Sequence, residues 1–258
     1  MGPHRVCAVY NFRIRMLKSA LKAALKAINL RLVRLPGSAE YGSVLPRADY
    51  TPWNLDVEFL TTYEKVRDHT LVDIYRCWEL WTLAGQTARL DPGAILEVGV
   101  WRGGTGALLA KRLELAGLEG PVYLCDTFEG VVKAGEHDGV YKGGEHSDTS
   151  KELVARLLAS LQIKNAQIIQ GIFPDVSGPM VADSSFRLVH IDVDTYQSAK
   201  DIMEWAWGRL VSGGMVVYDD YGFSVCSGIT RLVNEQATHS DKLVLHNLNG
   251  HAIVVKIS

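Results

Sequence analysis

Seven short apolar segments recur between residues 94 and 257, and stretches with helical periodicity separate most of them. Strands that are continuously rich in Val, Ile and Leu fit a parallel sheet with helices on both faces. The predicted strands cover residues 94–98, 121–125, 166–170, 187–192, 214–218, 242–246 and 251–257. The predicted helices among them cover residues 104–116, 150–161, 196–209 and 228–238. This alternation indicates an α/β fold.

The last two predicted strands break the alternation, because only the four residues 247–250 separate them. Such a short connection predicts a β-hairpin. We therefore expect a seven-stranded, mostly parallel sheet that has an antiparallel C-terminal strand and whose edge is antiparallel. Residues 57–90 have helical periodicity, which adds helices on the N-terminal side of the sheet.

The N-terminal region differs in charge from the rest of the chain. Residues 1–39 carry eight Lys and Arg and no Asp or Glu, which leaves the remainder with a net charge of −10. A body this acidic is a poor partner for nucleic acid, so none is expected. In a chain of 258 residues, we expect an appendage over residues 1–56 and one domain over residues 57–258.

Within the appendage, apolar residues at spacings of three and four predict an amphipathic helix over residues 12–35, which Pro36 and Gly37 end. The polar side of this helix is entirely basic. Three interpretations stay open: packing on the body or on a second subunit, contact with an anionic membrane surface, and a lid over a negatively charged ligand. Residues 36–56 are predicted to form an irregular linker.

The cellular setting is predicted from three absences in the sequence. The four cysteines are scattered without a CxxC pair, so neither a zinc site nor a disulfide framework is expected. No stretch approaches the roughly 18–20 apolar residues of a membrane span. The N-terminus lacks the apolar core of a secretory signal. We expect a cytoplasmic protein, and we also expect it to form a homo-oligomer.

The segment AILEVGVWRGGTGALLAKRL predicts a strand, a glycine-rich loop and a helix. Gly99 and Gly103 would let a ligand approach the N-terminus of that helix, where nucleotide-like ligands bind in open α/β sheets. The spacing is neither GxGxxG, which argues against an NAD dehydrogenase, nor the GxxxxGK[ST] of a P-loop. Asp126, at the end of the next strand, is suited to bind ribose hydroxyls. Glu97 would suit a positively charged ligand, which favours S-adenosylmethionine over a dinucleotide.

Two acidic pairs follow the fourth and fifth predicted strands. Asp192 and Asp194 follow RLVHI, and Asp219 and Asp220 follow GMVVY. Residues alternate faces in an extended segment, so Asp192 and Asp194 should point the same way. Adjacent parallel strands end side by side, so all four carboxylates should lie close together. Like charges at such separations require a cation to remain ionised.

Ligation by oxygen alone indicates a hard cation, with Mg²⁺ first and Mn²⁺ or Ca²⁺ as alternatives. We assign Asp192, Asp219 and Asp220 to the metal. Asp194 lies one step further out on the same side, where it can face a substrate as a general base.

Five segments together resemble the macrocin O-methyltransferase family, the metal-dependent sugar O-methyltransferases of antibiotic biosynthesis. They are EVGVWRGG (97–104), DTFEG (126–130), GIFPD (171–175), HIDVDTY (190–196) and YDDY (218–221), and the resemblance covers about residues 57–258. It implies a class I S-adenosylmethionine fold, a bound Mg²⁺ and transfer of a methyl group to a hydroxyl of a deoxysugar. That sugar would be either nucleotide-linked or attached to an aglycone.

The resemblance also implies roles for individual residues. Asp192, Asp219 and Asp220 would bind the metal, and Asp194 would be the base. Gly171 and Ile172 would flank the adenine, and Thr70 and Leu71 would contact the cofactor from a helix that precedes the sheet. The full set of cofactor-binding residues is Thr70, Leu71, Glu97, Val98, Gly99, Val100, Trp101, Gly103, Asp126, Thr127, Phe128, Gly130, Gly171, Ile172 and Asp192.

The polar stretch 131–150 is a long insertion after Asp126, and its length indicates a functional or mobile loop. We interpret it as a substrate lid, and the family often has such a segment here. His137 and His146 within it are alternative candidates for the base. Lys133 and Lys142 would be available to contact a substrate phosphate.

Two other functions stay open. A catechol-type O-methyltransferase would use the same cofactor and Mg²⁺ with an aromatic acceptor. A non-catalytic binding protein could keep the same fold. The intact set of carboxylates argues against the second, since a degenerate relative would be expected to lose residues that are costly to keep.

Overall fold

The computed structural model describes residues 48–257 continuously, together with Leu21, Ala24, Leu25, residues 40–42 and Val44. The chain divides into two compact units, Met1–Leu45 and Pro46–Ser258. In the first unit, Leu21, Ala24 and Leu25 are helical. The rest of the helix predicted over residues 12–35 lies outside the described residues, as does most of the predicted linker up to residue 47. Among the described residues, no helix has the length and apolar character needed to span a bilayer.

The second unit alternates helices and strands as predicted. In chain order they are α1 (Val57–Val66), α2 (Ile74–Gln86), β1 (Ala94–Val98), α3 (Gly104–Leu115), β2 (Val122–Asp126), α4 (Lys151–Ser160), β3 (Ala166–Gln170), β4 (Phe186–Ile191), α5 (Tyr196–Trp207), β5 (Leu210–Tyr218), α6 (Ser227–Gln236), β6 (Lys242–His246) and β7 (Ala252–Lys256). The predicted bounds of β1, β3 and β6 are confirmed. The main difference is β5, which begins four residues before its predicted start at residue 214. The earlier start arises because pairing with β4 continues across an irregularity in register.

All seven strands form one sheet, in the order β3-β2-β1-β4-β5-β7-β6. The neighbours among β1–β5 pair in parallel, and β7 is antiparallel to both β5 and β6. The antiparallel C-terminal strand and the antiparallel edge of the sheet are therefore confirmed. The edge strand is β6. An interior strand is covered on both faces, and β7 meets that demand with buried Ala252, Ile253 and Val254, whereas Leu243 and Leu245 of β6 are exposed.

Residues 57–90 form two helices with a loop between them. Asp73 begins α2, because its carboxylate accepts hydrogen bonds from the backbone N–H groups of Tyr75 and Arg76. Thr70 and Leu71 lie in the loop before this cap. Their predicted place on a helix is therefore wrong, because helical periodicity does not show where a capping side chain interrupts a helix.

The sheet separates two apolar layers. Ile95 of β1 and Leu188 of β4 pack in one layer with α1–α4. The next residues along each strand, Leu96 and Val189, pack in the other layer with α5 and α6. Both faces of the sheet are thus buried, which explains why its strands lack polar alternation.

The ends of β1, β4 and β5 meet at one edge of the sheet. The backbone N–H of Asp192 donates to the carbonyl of Val98 at 2.9 Å, and that of Asp219 donates to the carbonyl of Ile191 at 3.0 Å. The segments that follow these strands are therefore neighbours. Gly99, the first residue after β1, has a φ of +90°. A Cβ at this position would lie 1.7 Å from the carbonyl oxygen of Asp192.

We expect Gly99→Ala to lower the free energy of unfolding by roughly 2–4 kcal/mol, because it adds left-handed strain to a backbone clash. Gly208→Ala is the matched control, since Gly208 has a φ of −68° and no atom within 4 Å of an added Cβ. Urea unfolding should show a change within about 0.5 kcal/mol for the control. Equal stability of both variants would contradict the close approach of the two strand ends.

Candidate functional site

A cavity of about 290 Å³ opens at the edge of the sheet where β1, β4 and β5 end. Most residues predicted to bind the cofactor line it. Those that line it are Thr70, Leu71, Val98, Gly99, Val100, Trp101, Asp126, Thr127, Gly130, Gly171 and Asp192. Those that do not are Glu97, Gly103, Phe128 and Ile172. Gly103 is instead the N-cap residue of α3, and its backbone is left-handed.

Asp126 shapes the glycine-rich loop. One of its oxygens accepts hydrogen bonds from the backbone N–H groups of Val100 and Trp101, at 2.7 and 2.8 Å. Its other oxygen accepts from the backbone N–H of Phe128 at 2.7 Å. The end of β2 thereby holds the loop after β1 against the cavity. That second oxygen has a further lone pair for a ligand hydroxyl.

Glu97 points into the protein interior and does not reach the cavity. It is fully buried. Its Oε1 lies 2.9 Å from Nδ1 of His190, and its Oε2 lies where a Cβ on Gly106 of α3 would approach to 2.5 Å. The side chain therefore lies beneath α3. Its contacts give no support to a direct role in binding a positively charged ligand.

Asp192, Asp219 and Asp220 each bring a carboxylate oxygen within 4.8 Å of the others, and all three line the cavity. Burial, followed by the charges of Asp219 and Asp220, raises the pKa of Asp192 well above its usual range. Burial and the charges of Asp194 and Asp219 do the same to the pKa of Asp220. Oxygen ligands with this unrelieved negative charge fit a hard divalent cation.

Asp194 lies beside this cluster, but in a different conformation from the one predicted. The strand ends at Ile191, and Asp194 has a φ of +63°, so the premise of an extended segment is wrong. Its side chain still lines the same cavity as Asp192. The backbone N–H of Asp194 donates to Oδ2 of Asp220 at 3.3 Å. This hydrogen bond connects the segment after β4 to the segment after β5.

Tyr141 holds the side chain of Asp194. Its hydroxyl donates to Oδ1 of Asp194 at 2.6 Å, and Sγ of Cys226 lies 3.7 Å from the same oxygen. Burial raises the pKa of Asp194, and the hydrogen bond from Tyr141 opposes that rise. A carboxylate with a raised pKa is a stronger base, as proton abstraction requires.

Asp219 lies in a charged network that the sequence analysis missed. Arg76 of α2 donates to one of its carboxylate oxygens, and Nε2 of His251 lies 2.9 Å from the other. Burial alone would raise the pKa of Asp219, but His190, His251 and Arg76 lower it. Neither Arg76 nor His251 belongs to a motif, so only their position beside Asp219 identifies them.

His190 also belongs to this network. Burial alone would lower its pKa, but Asp219 and Glu97 raise it to about 10. The sequence showed an isolated histidine in an apolar strand, and its two carboxylate neighbours come from β1 and from the residue after β5.

The predicted lid over residues 131–150 contains no helix or strand and is attached to the body at several points. The buried carboxylate of Asp138 accepts a hydrogen bond at 2.7 Å from the backbone N–H of Tyr196, at the start of α5. Asp148 pairs with Arg102 and accepts from Nε1 of Trp101 at 2.9 Å. These contacts hold the loop beside both the glycine-rich loop and the acidic cluster.

The two histidines of this loop differ in position. His146 lines the cavity, whereas His137 does not. Instead, His137 packs against the ring of Tyr196 and lies 3.3 Å from Arg231. Of the alternative bases, His146 is therefore the one within reach of a ligand in the cavity.

Comparison with known proteins adds named relatives. The chain is 28% identical over 170 residues to the 8-demethyl-8-(2,3-dimethoxy-alpha-L-rhamnosyl)-tetracenomycin-C 4'-O-methyltransferase of Streptomyces olivaceus. The aligned region covers 61% of this chain and 64% of the relative. It is 27% identical over 189 residues to the mycinamicin III 3''-O-methyltransferase of Micromonospora griseorubida, covering 68% and 74%. The chain thus spans less than two thirds of the first relative's length.

Among solved structures, the O-methyltransferase NovP has a TM-score of 0.63 at 23% identity, over 74% of this chain and 83% of that one. The calicheamicin methyltransferase CalS11 has a TM-score of 0.60 at 14% identity, over 84% and 99%. Both share the fold described above. The profile of the macrocin-O-methyltransferase (TylF) family matches residues 68–245, more than half of the chain, and the protein therefore belongs to that family.

Proposed function

We propose that the protein is an S-adenosylmethionine-dependent O-methyltransferase that acts on a sugar hydroxyl of a glycoside and requires a divalent cation, Mg²⁺ first. The observation that carries this proposal is the group of three carboxylates with Asp194 beside it, in one cavity with the glycine-rich loop. Membership of the family and the names of the relatives support the reaction class.

When bound, S-adenosylmethionine supplies the methyl group, and a divalent cation lowers the pKa of the acceptor hydroxyl. Asp192, Asp219 and Asp220 would hold the cation, while Gly99 and Asp126 would line the cofactor site. Asp194 accepts the proton that the hydroxyl loses. Because Tyr141 already donates to Oδ1 of Asp194, the other carboxylate oxygen is the proposed proton acceptor.

The charge of the cavity favours a glycoside over a nucleotide-linked sugar. Of the Lys and Arg residues described by the structure, Arg76 alone lines the cavity, and Asp73 and Asp219 already bind it. Lys133 pairs with Asp175 and Asp201 rather than facing the cavity. A diphosphate would therefore lie near four carboxylates without a free cationic side chain to bind it.

The rim of the cavity, in contrast to its acidic interior, carries exposed apolar side chains. Leu71, Phe223 and Val225 line the cavity with exposed fractions of 64%, 37% and 46%. Exposed apolar groups beside a pocket indicate a binding surface. They suit an apolar aglycone. The relative from Streptomyces olivaceus is named for a substrate that combines a rhamnosyl group with tetracenomycin C.

We expect labelled S-adenosylmethionine to transfer its methyl group to a deoxysugar glycoside with an apolar aglycone, at least about tenfold faster than to the same sugar linked to a nucleoside diphosphate. The measurement compares these acceptors and a catechol by scintillation counting. Faster methylation of the catechol would favour the aromatic alternative. Cofactor binding by calorimetry without transfer to any acceptor would favour the non-catalytic one.

We expect Asp220→Asn to lower turnover by about 100-fold or more, because it removes one proposed ligand of the cation. EDTA should inactivate the wild-type protein, and Mg²⁺ should restore it. Asp220 is preferable to Asp219 for this test, since substitution of Asp219 would also leave Arg76 and His251 without their partner. Wild-type turnover by Asp220→Asn in EDTA would refute the metal assignment.

We expect Asp194→Asn to lower kcat by about 100- to 10,000-fold, because an amide cannot accept the proton. Affinity for S-adenosylhomocysteine, measured by calorimetry, should stay within about twofold of the wild type. Asp183→Asn is the control, because Asp183 is exposed and does not line the cavity. Normal turnover by Asp194→Asn would transfer the base assignment to His146.

A further inference from the structure

His251 is wholly buried between two carboxylates. Its Nε2 lies 2.9 Å from Oδ1 of Asp219, and its Nδ1 lies 2.7 Å from Oε2 of Glu79. The ring thus connects helix α2, which carries Glu79, with the residue that follows β5. Neither Glu79 nor His251 lines the cavity. Of the described residues that hydrogen-bond to them, Asp219 lines the cavity.

Glu79 is itself fixed by the loop between β6 and β7. The side-chain amides of Asn247 and Asn249 both donate to its carboxylate. The backbone N–H of His251 donates to Oδ1 of Asn249 at 2.9 Å, which links the histidine to the same loop. Glu79 therefore has three partners, and it holds the imidazole of His251 in one orientation.

The remaining contacts of Asp219 complete its orientation. Arg76 donates to Oδ2, the oxygen that His251 does not contact. A second glutamate–histidine pair also faces Asp219, since Nδ1 of His190 lies 2.9 Å from Glu97 and its Nε2 lies 3.7 Å from Oδ1 of Asp219. A carboxylate held at both oxygens cannot rotate freely, yet each oxygen retains a lone pair beyond its hydrogen bond to Arg76 or His251.

Two roles are conceivable for the pair Glu79 and His251. If it only anchored the hairpin, bonds from Asn247 and Asn249 to Glu79 would suffice. The additional contact from His251 to Asp219 instead follows the pattern in which outer groups orient the ligands of a metal. A histidine buried between two carboxylates is costly to place, and its orientation toward a proposed ligand gives that placement a function.

We propose that Glu79 and His251 are positioning residues that fix Asp219 in the orientation needed to bind a divalent cation together with Asp192 and Asp220. This inference rests on the metal site of the proposed function. It assigns the orientation of Asp219 to one side chain from α2 and one from the residue before β7, both outside the acidic motifs.

The test measures the binding of Mn²⁺ to the purified full-length protein by electron paramagnetic resonance, without an acceptor. We expect the Kd for Mn²⁺ to rise by about 10- to 100-fold in His251→Gln and by about tenfold in Glu79→Gln. Glu79→Gln is nearly isosteric and keeps hydrogen-bonding capacity, so it provides a folded variant if His251→Gln is unstable. Thermal unfolding of each variant separates affinity from stability.

His246→Gln is the matched control, because His246 lies on the same hairpin, is exposed and stacks on Tyr221 outside the cavity. Its Kd for Mn²⁺ should equal that of the wild type. If Glu79→Gln and His251→Gln lower the unfolding temperature but bind Mn²⁺ like the wild type, the pair is only a hairpin anchor and the inference is wrong. Absence of Mn²⁺ binding by the wild type would instead refute the underlying metal site.

Discussion

Mutual repulsion among carboxylates at the ends of β4 and β5 is the constraint on which the rest of the site depends. Parallel pairing brings Asp192 and Asp219 to one edge of the sheet. A second aspartate follows each of them, Asp194 after Asp192 and Asp220 after Asp219. Buried like charges destabilise a fold unless cations or hydrogen-bond donors compensate them. Arg76, His190 and His251 compensate Asp219, whereas Asp192 and Asp220 keep raised pKa values. The uncompensated part of the charge is what a divalent cation would neutralise.

The compensating groups come from elements that are distant in sequence. Arg76 lies on α2, and His251 immediately precedes β7, the strand between β5 and β6. The interior position of β7 therefore has two consequences. It buries the more apolar strand of the hairpin, and it brings an imidazole to the carboxylate at the end of β5. The same element thus contributes to the stability of the sheet and to the electrostatics of the site.

Much of the fold followed from the sequence because its patterns are local. Apolar runs identified all seven strands, and the short connection at residues 247–250 identified the hairpin. The errors arose where a distant contact decided the outcome. Pairing with β4 lengthened β5, and the cap by Asp73 divided the helical region. The interior orientation of Glu97 likewise depends on His190 and Gly106, neither of which its own segment reveals.

The sequence by itself determined the α/β class, the acidic residues that end the strands and the glycine-rich loop, because each depends on residues adjacent in the chain. It also marked the long loop at residues 131–150, though not its contacts. Only the tertiary structure decided that Tyr141 of this loop binds Asp194, that Arg76 and His251 hold Asp219, and that Glu97 avoids the cavity. The physical reason is that hydrogen bonds and charge interactions depend on distance in space, which packing of the sheet and helices sets.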